Sequence, residues 1–165
     1  MGKPLLVGFS DSYRADDLDD RKSTVGYVFS LGSGIVTWGC KKQQALSLYS
    51  AEVDYKAIVN GSYEALWLRQ ILLEFGFEQQ QPTLLWCDNQ SAIKLSKDPF
   101  LHQRIKHIEI HMHFIRNLVH DRICEMLYFP TDDQVANIFT KSLTEAKFSK
   151  LQSMLGVQEC VLEAG

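Results

Sequence analysis

Cysteine is scarce in this chain and never paired at short range. Cys40, Cys87, Cys124 and Cys160 are its four cysteines, and no two form a Cys-x-x-Cys unit. That argues against a zinc ribbon. Cys40, Cys87 and Cys124 lie in apolar, strand-like runs and read as buried, reduced thiols. No apolar run approaches the ~20 residues of a membrane-spanning helix. The opening MGKPLLVGFSD lacks the basic start and long apolar centre of a signal peptide. The expectation is an intracellular setting, cytoplasm or nucleus. An excess of one charge is missing too, with a formal net charge of −3. Bulk charge therefore cannot coat nucleic acid, while local basic patches could still hold phosphates. Repeats, low-complexity tracts and linkers are absent. The 165 residues, 45% apolar and 22% charged, read as one domain with a real core.

What is present alternates first with a period of two. LLVGFSD (5–11) reads as a strand, and TVGYVFSLG and GIVTWGC flank a GSG hairpin turn (32–34). Between them, DDLDDRKS (16–23) is a polar, solvated loop. From Ser50 to about Phe77 the apolar spacing becomes helical, with Ser50 as N-cap and Gly76 as the stop. TLLWCD (83–88) is a short strand, and NQSAIKLSKD (89–98) a helix ended by Pro99. A further helix is predicted over 104–121, a strand over 123–130, a helix over 132–143 with Asp132 as N-cap, and a last helix over 145–155. Trp38, Trp67 and Trp86 read as core. The order βββαβααβαα predicts an α/β fold with a five-stranded mixed sheet, three strands antiparallel and two parallel, flanked by helices.

Acids fall at telling places in this order. Asp11 closes the first strand and Asp88 the fourth. LYSAEVDYKAI (48–58) offers Glu52 and Asp54 near a helix start. Positions two apart on a helix point ~200° away from each other, so at most one of the two faces a given site. Carboxylates converging from separate elements repel, and a divalent cation relieves that repulsion. Two Mg²⁺ ions ~4 Å apart can activate a water and stabilise the leaving oxygen of a phosphodiester. Spacing alone also fits ordinary capping acids.

The sequence resembles the ribonuclease H domain of copia-type LTR retrotransposons, part of their reverse transcriptase (Pol) polyprotein. The likeness runs over about residues 7–156, leaving 157–165 as a tail. It rests on GFSD, DLDDRKSTVGYVFSLG, IVTWGCKKQ, SAEVDYKAI, EALWLRQILLEFGF, CDNQSAIKLSK, HQRIKHIEIHMHFIR and DQVANIFTKSL, in family order and spacing. The resemblance implies a ribonuclease H-like fold. It also implies Mg²⁺- or Mn²⁺-dependent, endonucleolytic hydrolysis of the RNA strand of RNA–DNA hybrids. The polymerase part of the same polyprotein is an implied partner.

The family's helix acid is followed directly by a large apolar residue, then a variable and a small one. DYKA fits that pattern, so the resemblance assigns the role to Asp54 and puts Glu52 on the flank. The family quartet of Asp, Glu, Asp and Asp becomes Asp11, Asp54, Asp88 and Asn137 here, the three aspartates being the implied metal ligands. Asp54 is one methylene short, about 1.5 Å. A misplacement of that size can cost of order 10²-fold in rate. Asn137 keeps an oxygen donor but brings no charge, so metal affinity should fall. Tyr13, Arg14 and Tyr49 also depart from the family pattern. Two functions follow: an altered nuclease, or a domesticated module that grips nucleic acid or protein without cutting.

Lys41, Lys42, Arg104, Lys106 and His107 are candidate nucleic-acid contacts, together with His102, Arg21, Lys22 and Lys141. Ordinary surface charge is the competing reading. His107 and His111, four apart, read as helix packing or polar contacts rather than zinc ligands.

Overall fold

The computed structural model describes residues 4–14, 22–43, 50–97 and 109–158. Strands β1 (Leu6–Arg14), β2 (Ser23–Leu31) and β3 (Gly34–Lys42) form an antiparallel meander. The turn between β2 and β3 is Gly32–Ser33, with Gly32 at φ 62°, the conformation a two-residue hairpin turn demands. Helix α1 (Ser50–Glu74) crosses to β4 (Thr83–Cys87), which pairs parallel with β1. Helices α2 (Gln90–Lys97) and α3 (Glu109–His120) lead to β5 (Cys124–Tyr128), parallel to β4. A short 3-10 helix (Val135–Phe139) and α4 (Glu145–Met154) complete the described chain. The sheet order is β3-β2-β1-β4-β5, the mixed sheet expected from the sequence.

Alternation along the strands divides the core in two. One sheet face carries Phe29 and Leu85 against Tyr55 and Ile58 of α1 and Met112 and Ile115 of α3. The other carries Val28 and Phe9 against Val135 and Ala136 of the 3-10 helix and Leu151 of α4. Burial of these apolar side chains is the main force holding the layers together.

Several expectations need correction. The helix predicted over 132–143 is only the 3-10 turn Val135–Phe139, capped by Gln134 rather than Asp132. Gln134 is fully buried. Its amide donates to the Ser10 carbonyl of β1 (3.2 Å) and the Trp86 carbonyl of β4 (3.3 Å), while its Oε1 accepts from Ala136 N. These bonds pin the segment to the sheet before a full α-helix can form, and local periodicity gives way to them. β1 runs past Asp11 to Arg14, so Asp11 does not close the strand. It does stand where pairing with β4 stops, one residue after Ser10↔Cys87. Trp38 and Trp67 are 62% and 57% exposed, not core. Trp38 is on the edge strand β3, and the second half of α1 carries apolar residues on more sides than the sheet can cover. Cys40 is exposed on the same edge, whereas Cys87 and Cys124 are buried as expected, and burial pushes both thiols up. Cys160, the loop 16–21, Pro99 and the first turn of the helix predicted from 104 lie outside the described residues.

Gln134→Ala is expected to lower the unfolding free energy by about 2–4 kcal/mol in a urea titration, because it removes two donors from carbonyls and uncaps the 3-10 helix. An unchanged midpoint would show that these bonds are replaced at no cost.

Candidate metal and catalytic site

The β1–β4 ladder ends at Ser10 and Cys87, and the next residue of the chain after each is an aspartate. Asp11 and Asp88 therefore start side by side where the two strands part. The first turns of α1 pack against β2 through Val53 and Ala57, against Val25. That packing brings Asp54 to the same place. One carboxylate oxygen from each of Asp11, Asp54 and Asp88 lies within 4.8 Å of the other two. Asp11 is 1% exposed and Asp54 7%, while Asp88 is half-buried. The shorter side chain at position 54 thus still reaches the group. Glu52 is buried as well but ion-paired to Lys56 at 3.0 Å, and it is not part of the trio.

Each buried carboxylate is held by donors from other elements. Ser12 Oγ donates to Asp54 Oδ1, and Asn89 Nδ2 to Asp54 Oδ2 (2.5 Å). Asn89 also caps α2, its Oδ1 accepting from Ser91 N and Ala92 N. Thr140 Oγ1 donates to Asp11 Oδ2, and Lys141 Nζ sits 3.5 Å from the same oxygen. Gly26 makes the latter arrangement possible. It pairs with Asp11 across β1–β2, and a Cβ there would stand 2.8 Å from Thr140 Cγ2. The bare backbone lets the end of the 3-10 helix rest on the sheet beside Asp11.

Asn137 is fully buried on that 3-10 helix. Its Nδ2 donates to the Thr131 carbonyl at 2.8 Å, and its Oδ1 is a buried acceptor with no hydrogen-bond partner. Its backbone carbonyl accepts from Lys141 N at 3.2 Å, so Asn137 and Lys141 share one turn. Lys41 and Lys42 are exposed at the end of β3. Arg104, Lys106 and His107 lie outside the described residues, as do His102 and Arg21. His111 is exposed, edge-on to Tyr63 at 6.5 Å.

Sequence reasoning missed Ser12, Asn89 and Thr140, and it grouped Lys141 with phosphate contacts when it faces Asp11. A signal was available in part: Asn89 directly follows Asp88, and Thr140–Lys141 lie one turn beyond Asn137.

Burial pushes the Asp11 carboxyl up to about 6, against the pull of Lys141 and Thr140 and with a further push from Asp88 and Asp54. Burial raises Asp54 also, opposed by the Ser12 and Asn89 hydrogen bonds. Oxygen donors alone, clustered and short of positive charge, suit a hard divalent cation. The trio fits such an ion, and Asn137 Oδ1 is a further uncommitted oxygen.

A stability consequence follows. Between pH ~4 and ~6 the folded state keeps a proton on Asp11 that the unfolded chain has lost, so stability falls as pH rises through that window. With an ordinary value of 3.8 and a folded value of about 6, the loss is about 3 kcal/mol. Urea unfolding in EDTA at pH 4 and pH 7 is expected to show it, and Asp11→Asn to flatten the difference.

No protein-family model matches the chain. Sequence relatives do. The chain is 36% identical over 154 residues to the retrovirus-related Pol polyprotein from transposon TNT 1-94 of Nicotiana tabacum, covering 93% of this chain and 12% of that protein. It is 38% identical over 152 residues to the corresponding polyprotein from transposon RE1 of Arabidopsis thaliana, covering 92% and 10%. The chain thus spans about a tenth of the length of these relatives. Among solved structures, LC11-RNase H1, isolated from compost by a metagenomic approach, superposes with a TM-score of 0.61 at 9% identity, over 82% of this chain and 92% of that one. The same enzyme in complex with an RNA/DNA hybrid gives a TM-score of 0.54 at 10% identity, over 82% and 93%. By sequence the chain is a homologue of one segment of the retrovirus-related Pol polyproteins, and its fold is the ribonuclease H fold.

Proposed function

We propose that this segment hydrolyses the RNA strand of RNA–DNA hybrids, endonucleolytically and with Mg²⁺ or Mn²⁺. The observation that carries the reading is the convergence of Asp11, Asp54 and Asp88 within 4.8 Å on a ribonuclease H fold. Asp11, Asp54 and Asp88 would hold the metal, with Asn137 as a weak fourth donor. Bound there, a divalent cation supplies an activated water and stabilises the leaving oxygen of the phosphodiester.

The rest is the work of the chain's own side chains. Thr140 and Lys141 fix the Asp11 carboxylate, and Ser12 with Asn89 fix both oxygens of Asp54. The carboxylates are then oriented before any ligand arrives, which spares that cost at the reacting centre. Lys41 and Lys42 would meet backbone phosphates, while a wide minor groove and 2′-hydroxyls would mark the RNA strand. The acting unit would be one domain over about residues 7–156. The polymerase part of a longer polyprotein would be its partner, and the cell interior its setting. Among the described residues, no helix is long and apolar enough to cross a membrane.

A second reading, a binding module that no longer cuts, is favoured by two specific contacts. The Asn137 amide is tied to the Thr131 carbonyl, and Lys141 already neutralises part of Asp11.

Three outcomes are expected with a labelled RNA–DNA hybrid. Wild type cuts with Mg²⁺ or Mn²⁺, and Asp11→Asn does not. Asp88→Ala loses of order 10²-fold or more while its melting curve stays cooperative. Asn137→Asp raises metal-dependent cleavage by about tenfold. Retained cutting in Asp88→Ala would sink the site assignment, and a folded wild type silent with both ions would leave the binding module.

A further inference from the structure

We infer that the acid site of this chain takes up one divalent cation rather than two, with the Lys141 ammonium standing as the second positive charge. The inference rests on the metal-site reading above and adds the number of ions to it.

Charge is the first ground. Three carboxylates meet here, two of them less than a tenth exposed and Asp88 half-buried. Charges this far removed from water are favoured when their sum is close to neutral. Asn137 contributes none. Lys141 contributes one positive charge, 3.5 Å from Asp11 Oδ2, on a side chain that is 21% exposed. Three carboxylates against one ammonium leave two negative charges, which a single divalent ion balances. A second ion would leave the pocket with two positive charges uncompensated.

Position is the second ground, and it is independent of charge. Lys141 is not a surface lysine that has strayed onto an acid. Its backbone N–H closes a turn onto the Asn137 carbonyl. The residue before it, Thr140, gives its hydroxyl proton to the same Asp11 oxygen. The turn itself is seated on Gly26, where no Cβ intervenes. Lys141 therefore leaves the same turn that holds Asn137, and packing sets its place beside Asp11. A cation fixed by the fold competes with a diffusible one at the same oxygen.

Ion counting on the free protein tests this without reference to cleavage. Metal-free wild type is titrated with Mn²⁺ at pH 7.5, free ion being followed by electron paramagnetic resonance and folding by thermal melts. One ion per chain is expected. Lys141→Met should tighten that ion by about tenfold. Asn137→Asp combined with Lys141→Met should take up two. Lys141→Arg, which keeps the charge, should retain one ion at close to wild-type affinity. If Lys141→Met fails to fold, Lys141→Gln carries the same expectation. Two ions on wild type, or a folded Lys141→Met or Lys141→Gln with unchanged number and affinity, would overturn the inference and leave the metal site intact. No ion on folded wild type would overturn the metal-site reading itself, and this inference with it.

Discussion

The parting of β1 from β4 governs the rest of the molecule. The two central strands are hydrogen-bonded as far as Ser10 and Cys87 and no further. A gap of that kind in the middle of a sheet exposes backbone groups that must find partners. Gln134 fills the need from the far end of the sequence, bonding the carbonyls of Ser10 and Trp86 with one amide. Because it is anchored there, the following 3-10 turn lies over the gap. Because the strands part there, Asp11 and Asp88 emerge next to each other where the parallel pairing ends, Asp11 within β1 and Asp88 just past β4. In open α/β sheets that is where ligands collect.

A cost comes with the arrangement. Three clustered acids, two of them buried, work against folding, and burial pushing the Asp11 carboxyl up to about 6 is the sign of it. The fold answers with donors from β1, from the cap of α2 and from the end of the 3-10 helix. These bonds moderate the repulsion without ending it. What remains would favour a cation: one that entered would gain the attraction the acids cannot satisfy among themselves.

How much could be read from the sequence varied with the range of the interactions involved. Hairpin, strands and long helices follow from local periodicity and turn residues, and Gly32–Ser33, α1 and β4 are where the pattern puts them. The spacing argument allows only one of Glu52 and Asp54 at the site, and the family pattern DYKA picks out Asp54. The segment after Asp132 was misread because its apolar pattern suits a helix, while its actual shape is dictated by bonds to strands more than forty residues away. Trp38 and Trp67 depart from the core for a related reason. Apolar character says that a side chain favours burial, but only the sheet order says whether a neighbour exists to bury it. Lys141 was seen as a basic residue, and nothing local announced that its partner would be Asp11, 130 positions earlier.

β3 has its own consequence. Among the described residues it has a strand neighbour on one side only, and Val36, Trp38 and Cys40 are exposed along it. An open edge of that composition invites a second chain to add itself as another strand. Two features disfavour such growth. A register irregularity opposite Phe29 and Ser30 breaks the straight run, and Lys41 with Lys42 charges the far end. The irregularity and the two lysines both work against such addition, and high salt, which screens the lysines, weakens the second of them.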